Sequence, residues 1–166
     1  MKNIKSIILV ALAISIEIFS CQQIPQTGFI KDTSNGIYTI YKNIKPEDAI
    51  KVMNGEIFHH NQIPLGEAFE VINRNIQGLV VKDDKVSVGC GLKVSDKKGN
   101  VLLNMADIFE GAGIFNKDSV EFLRCTVNTG APMKPMEFYD IEITYWDKFG
   151  DGELKNKLEI EIIDEP

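Results

Sequence analysis

The chain has 166 residues, of which 44% are hydrophobic and 25% are charged, so it can bury the core of an ordinary globular domain. Its formal net charge of −6 disfavours nucleic acid and anionic membrane surfaces as partners, because both are bound mainly through clustered Lys and Arg. We therefore expect one acidic domain that does not bind nucleic acid.

The first twenty residues have the layout of a secretory signal peptide. Lys2 and Lys5 precede an apolar run, residues 7–16, that is interrupted only by Ser15. The run is shorter than the ~20 residues that a membrane-spanning helix needs. A basic start, a short apolar segment and a small residue before a cleavage point predict a signal peptide over residues 1–20.

The sequence Ile18-Phe19-Ser20-Cys21 resembles the lipobox of bacterial lipoproteins. This resemblance implies cleavage before Cys21, diacylglycerol on its thiol and acylation of the new amino group, which makes membrane lipid a partner of the protein. Loss of the signal peptide would change the net charge from −6 to −7, because Lys2, Lys5 and Glu17 leave with it. Gln22 follows the cysteine, and the resemblance then implies the outer membrane, with the domain facing the periplasm.

Residues 21–36 are polar with Pro and Gly, which predicts a lipidated cysteine followed by a flexible tether. A single domain is expected over residues 37–166, most clearly from about residue 78. It opens with a short strand over residues 37–41. Residues 46–55 have helical spacing of apolar positions and predict a helix, although Asn54-Gly55 also favours a hairpin turn.

From residue 56 onward the apolar positions mostly alternate with polar ones, which is typical of strands. The pattern over residues 65–76 fits a helix or a strand, and we favour a strand. Gly89 and Gly91 fall on the outer face of the clearest strand, which indicates a bulge or the close approach of another backbone. A brief helical turn is expected at Ile108–Phe109. The expected strands cover residues 57–63, 86–94, 101–103, 121–127, 138–146 and 154–163.

Short strands separated by turn residues predict an all-β fold, an immunoglobulin-like antiparallel β-sandwich with one or two short helical turns. Tyr139 follows a turn and opens a late strand, as does the tyrosine of the tyrosine corner in immunoglobulin-like domains. The chain from about residue 78 is also similar to uncharacterised Bacteroidetes-type lipoprotein domains, through residues 94–102 and 145–148. That resemblance implies no activity.

Two cysteines remain in the mature chain, Cys90 and Cys125. Alternation turns both toward the core. An exported compartment permits a disulfide between them, but free cysteines are also common in cores. Both alternatives stay open from the sequence.

The segment from Tyr145 to Glu153 carries the most suggestive side chains. Tyr145, Trp146 and Phe149 are expected to cluster at the mouth of the last hairpin, where aromatic rings can stack on sugars or anchor a protein. Three carboxylates in the same segment offer oxygen ligands for a weak Ca²⁺ site, although Asp and Gly also serve as turn residues. These carboxylates are Asp147, Asp151 and Glu153.

No nucleophile elbow, phosphate-binding loop or dinucleotide fingerprint occurs in the sequence, and neither a cofactor nor catalysis is predicted. The leading hypothesis is therefore a non-enzymatic, lipid-anchored interaction or accessory domain of the cell envelope, with an envelope protein or a glycan as partner. One alternative is a module that binds carbohydrate or Ca²⁺ through residues 145–153. Another is an envelope inhibitor or immunity lipoprotein.

Overall fold

The computed structural model describes residues 26–164, and the predicted signal peptide and Cys21 lie outside this range. The described chain folds into twelve strands and one three-residue 3-10 turn, Lys117–Ser119. The strands are β1 (Thr27–Asp32), β2 (Ile37–Lys42), β3 (Asp48–Met53), β4 (Glu56–Phe58), β5 (Gln62–Pro64), β6 (Ala68–Arg74), β7 (Lys85–Asp96), β8 (Val101–Met105), β9 (Ile114–Asn116), β10 (Phe122–Asn128), β11 (Phe138–Asp147) and β12 (Glu153–Ile163).

The strands form two sheets that pack face to face as an immunoglobulin-like antiparallel β-sandwich, which confirms the predicted fold class. The larger sheet has the order β1-β2-β12-β11-β7-β8, with β5 beside β12 and β9 beside β7. The smaller sheet has the order β10-β6-β3-β4. One pairing departs from the antiparallel pattern, because β5 runs parallel to β12. No helix among residues 26–164 is long and apolar enough to cross a membrane.

The alternation of apolar and polar residues explains the core. Along β7, β11 and β12 the inward residues are almost all apolar, and they meet the inward residues of β3, β6 and β10 in one cluster. A polar link crosses this core, where Asn73 and Asn156 exchange side-chain hydrogen bonds of 2.8 and 2.9 Å. Asn156 also donates to the Thr39 hydroxyl at 2.9 Å. Every carboxamide in the link is therefore partnered, which limits the cost of its burial.

Residues 27–36 belong to the domain, whereas the sequence assigns them to the tether. Thr27–Asp32 pairs with β2 over six residues, and the turn that follows is held by buried Asn35. The Asn35 side chain donates to the carbonyl of Ala49 and accepts from the backbone N–H of Ile37. The polar composition of this segment reflects an edge strand and its turn.

The helix expected over residues 46–55 is wrong, and the competing hairpin is correct. Asp48–Met53 forms β3, which pairs with β4 through a turn at Asn54 and Gly55. Both turn residues have positive φ, 53° and 82°, as the tight two-residue hairpin turn requires. Pairing with β6 on the other side of β3 outweighs the helical spacing of the apolar residues.

Smaller expectations near the middle of the chain also differ in detail. Residues 57–63 are divided between β4 and β5, and residues 65–76 contain β6, as favoured. The helical turn expected at Ile108–Phe109 is an irregular turn over residues 108–112. The tyrosine-corner analogy fits, because the Tyr139 hydroxyl accepts a hydrogen bond of 2.8 Å from the backbone N–H of Lys134.

Candidate functional site

The outer face of the larger sheet carries the most distinctive arrangement in the described chain, centred on Trp146. Trp146 lies on β11 directly opposite Gly89 of β7. A methyl group built at Gly89 would come within 2.0 to 2.5 Å of three indole atoms, Cε2, Cζ2 and Nε1. Gly91, two residues farther along β7, would bring a methyl group to 3.6 Å from Cζ3. The indole therefore lies over the backbone of β7, in space that only glycine leaves open.

This placement explains the two outward glycines of β7. The sequence indicated a bulge or the close approach of another backbone there. At Gly89 the structure instead shows the close approach of an aromatic ring, whereas at Gly91 the backbone oxygens of Ala106 and Met105 would lie 3.2 and 3.3 Å from an added methyl group. The irregularity in β7 occurs elsewhere, between Val94 and Ser95. An aromatic side chain opposite a glycine restores part of the packing that a strand loses at glycine. Trp146 remains half-buried.

A groove continues from Trp146 across the outer face of the larger sheet. One cavity of about 190 Å³ lies beside the indole and is lined by Gly91, Lys93, Asn104, Met105, Glu142 and Thr144, among others. A second cavity of about 430 Å³ adjoins it and is lined mainly by Lys93, Ser95, Asp140, Glu142, Lys157 and Glu159. The two cavities share Lys93 and Glu142, and we call them together the outer groove.

Most charged side chains of the outer groove are paired with one another. Lys97 contacts Asp140 at 2.8 Å and Glu159 at 2.6 Å, and these hydrogen bonds raise the pKa of its ammonium. Glu142 lies 3.3 Å from Lys157 and 3.6 Å from Lys155. The surface of the groove thus presents hydrogen-bond donors and acceptors with little net charge. Such a surface suits a polar ligand that is rich in hydroxyl groups.

The structure separates the three aromatic residues that the sequence grouped together. Tyr145 points into the core beside Cys90 and is fully buried, so it cannot contact a ligand, and burial raises the pKa of its hydroxyl. Phe149 is half-buried in the β11–β12 loop, with the ammonium of Lys82 5.0 Å from its ring centroid. Of the three, only Trp146 lines the outer groove.

The three acidic residues of the 145–153 segment do not converge. Buried Asp147 accepts hydrogen bonds from the backbone N–H groups of Val80, at 2.7 Å, and Phe149, at 2.8 Å. Asp151 pairs with Lys42 at 3.0 Å, and Glu153 is exposed on β12. No group of three or more metal-ligating side chains occurs within residues 26–164. Asp147 holds the loop together, and the segment offers no shared cation site.

Cys90 and Cys125 face each other across the sandwich, one from each sheet. Both are buried free thiols, on β7 and β10. A hydrogen bond with the Cys125 side chain, together with burial, raises the pKa of the Cys90 thiol. The same hydrogen bond lowers the pKa of the Cys125 thiol, and both side chains are buried in the core, away from solvent. The two side chains therefore lie near each other in the core.

Sequence reasoning named Trp146 but missed the groove beside it. The signal was present, because Gly89 and Gly91 share one face and glycine is uncommon within a strand. The pairing of β7 with β11, which brings the glycines under the indole, is a long-range contact and is not visible in local sequence. The lysines and carboxylates of the groove look like ordinary solvent-facing strand residues.

No protein-family model matches the chain, and no curated protein matches its sequence. Among solved structures, the chain is similar to one described as the crystal structure of the C-terminal domain of wzt. The TM-score is 0.49 at 9% sequence identity, and the match covers 86% of this chain and 81% of that chain.

Proposed function

We propose that the protein is a lipid-anchored, non-enzymatic binding domain of the cell envelope, and that its outer groove binds a glycan. The observation that carries the proposal is the Trp146 indole, fixed over Gly89 and Gly91 at one end of a groove lined by polar side chains. An indole face packs against the C–H face of a sugar ring, while hydroxyl groups require donors and acceptors around it.

The chemistry of the groove supports binding over catalysis. Asp140, Glu142 and Glu159 each face a lysine at 3.6 Å or less, so their charges are neutralised locally. The paired carboxylates still present several acceptor oxygens to hydroxyl groups. A general acid would instead need an environment that favours its neutral form. Membrane attachment through Cys21 would then hold the groove close to envelope glycans.

Trp146 is the only tryptophan of the chain, so its fluorescence reports directly on the groove. We expect purified protein to show saturable quenching or enhancement with at least one member of a panel of bacterial envelope polysaccharides and oligosaccharides. The Ile57→Ala variant, altered at an exposed position of the opposite sheet, is the matched control and should respond identically. A flat response across neutral and charged glycans would refute glycan binding.

A further inference from the structure

The β1–β2 edge of the larger sheet carries an exposed aromatic and aliphatic cluster, outside the outer groove. Phe29 is 67% exposed, Tyr38 36% and Ile40 40%. Phe29 lies opposite Ile40 across the strand pair, and its ring centroid is 5.9 Å from that of Tyr38. We call these three residues the edge patch. Thr39, between two of them, is buried and points inward, so the patch belongs to the solvent side of the sheet.

The length of chain that precedes the patch limits what can cover it. The described structure begins at Gln26, and four residues, 22–25, separate it from Cys21. The five Cα–Cα steps from Cys21 to Gln26 reach at most ~18 Å when fully extended. A domain of this length has a radius of gyration of about 14 Å, so it is about twice as wide as the spacer is long. A lipid on Cys21 would therefore keep the β1–β2 edge nearer to the bilayer than the opposite side of the sandwich.

We propose that the edge patch docks into the interfacial layer of the membrane that anchors Cys21. The inference rests on the proposed lipid anchor and commits to the lipid surface as the occupant of the patch. Tyr and other aromatic side chains favour the membrane interface, because their rings sit at headgroup depth while polar tips stay hydrated. Lys31, which lies opposite Tyr38 on the neighbouring strand β1, can extend toward the headgroups.

Docking would also set the direction of the outer groove. The patch lies on β1 and β2, whereas Trp146 lies on β11, two strands beyond β2 in the same sheet. Neighbouring strands are ~4.8 Å apart, so the indole stands ~10 Å or more from the patch on the same face. The groove would then open along the membrane surface, where glycans attached to lipids are found.

The test places a single tryptophan on either side of the sandwich. Phe29→Trp and Ile57→Trp are each made in a Trp146→Phe background, with Trp146→Tyr as a second background if the first lowers the melting temperature. Both positions are exposed, and both chains carry the same anchor. The full-length lipoproteins are inserted into zwitterionic phosphatidylcholine vesicles whose acyl chains are brominated, and quenching of tryptophan fluorescence is measured.

We expect the tryptophan at position 29 to be quenched at least about twofold more strongly than that at position 57 and to emit at shorter wavelength. If mass spectrometry shows that Cys21 is acylated but the two tryptophans are quenched equally, docking of the edge patch is refuted and the lipid anchor stands. If Cys21 is not acylated, the proposed lipid anchor is refuted. The unanchored chains are then mixed with the same vesicles, and quenching at positions 29 and 57 is compared again to test whether the edge patch binds lipid. If sedimentation shows a dimer and the tryptophan at position 29 is shielded from solvent without lipid, the patch binds a second copy of the chain. That result would overturn the proposal.

Discussion

Lys51 offers a quantitative test of the sandwich interior. It is the only buried Lys or Arg among the described residues, at 1% exposure, and no carboxylate of residues 26–164 lies within ion-pair distance of its ammonium. Its partners are the carbonyl of His60 and the ring of Phe58, 5.0 Å from the ammonium to the centroid. Burial lowers the pKa of Lys51 from 10.5 to about 8.

The magnitude follows from that pKa. A value lower by about 2.5 corresponds to about 3 kcal/mol of destabilisation when the group is charged in both the folded and unfolded states. Lys51→Met removes this term but also loses a hydrogen bond and a cation–π contact, together worth about 1–2 kcal/mol. We therefore expect the free energy of unfolding of the variant at pH 7 to be about 1–2 kcal/mol higher than that of the wild type.

The pH dependence has a definite sign. Above the unfolded pKa of 10.5, Lys51 is neutral in both states and carries no penalty. As the pH falls from 10.5 to about 8, the unfolded state takes up the proton first, and the folded protein loses stability. The advantage of Lys51→Met should therefore be largest below pH 8 and shrink by about 3 kcal/mol as the pH rises to 10.5.

Urea denaturation at pH 7 and between pH 8 and 10 measures the difference directly, provided that the m-values of the two proteins agree. Lys93→Met, at an exposed strand position, is the matched control and should change stability by less than about 0.5 kcal/mol. Destabilisation of Lys51→Met by more than about 1 kcal/mol, or a difference that does not vary with pH, would refute the reasoning.

Two further predictions concern the groove and the cysteine pair. Gly89→Ala places a methyl group 2.0 Å from the Trp146 ring, so the ring must leave its position. The tryptophan emission should then move to longer wavelength. The control Gly91→Ala should leave the emission unchanged. An unshifted emission in the Gly89 variant would contradict the placement of the indole. Oxidised glutathione should join Cys90 and Cys125 in a disulfide. Neither cysteine should then react as a thiol after denaturation, and the free energy of unfolding should rise by roughly 3–4 kcal/mol. Two free thiols after prolonged oxidation would contradict the sulfur contact.

The regular part of the fold was predictable because alternation of apolar and polar residues is strong in β7, β11 and β12. The same alternation places Tyr145 on the inward face of β11 with Ile141 and Ile143, so its burial could be anticipated from the sequence. The helix expected over residues 46–55 failed because local spacing competes there with strand pairing to β6, a contact between distant residues. Composition alone could not distinguish the edge strand β1 from a tether.

The site was only half visible for a related reason. Trp146 is the sole tryptophan and stood out as a residue type. Its position depends on Gly89, which lies more than fifty residues earlier in the chain and meets it only through the register of β7 with β11. Pairings of this kind are set by the packing of the whole sheet, which local sequence does not encode.

The most direct test of glycan binding is a calorimetric titration of the wild type and the Trp146→Ala variant with the glycan that perturbs the Trp146 fluorescence most. Loss of the stacking surface should weaken binding at least about tenfold, which corresponds to about 1.4 kcal/mol, while the melting temperature confirms that the variant is folded. The Ile57→Ala control should bind with the affinity of the wild type. Equal affinity of the wild type and a folded Trp146→Ala variant would contradict binding in the outer groove.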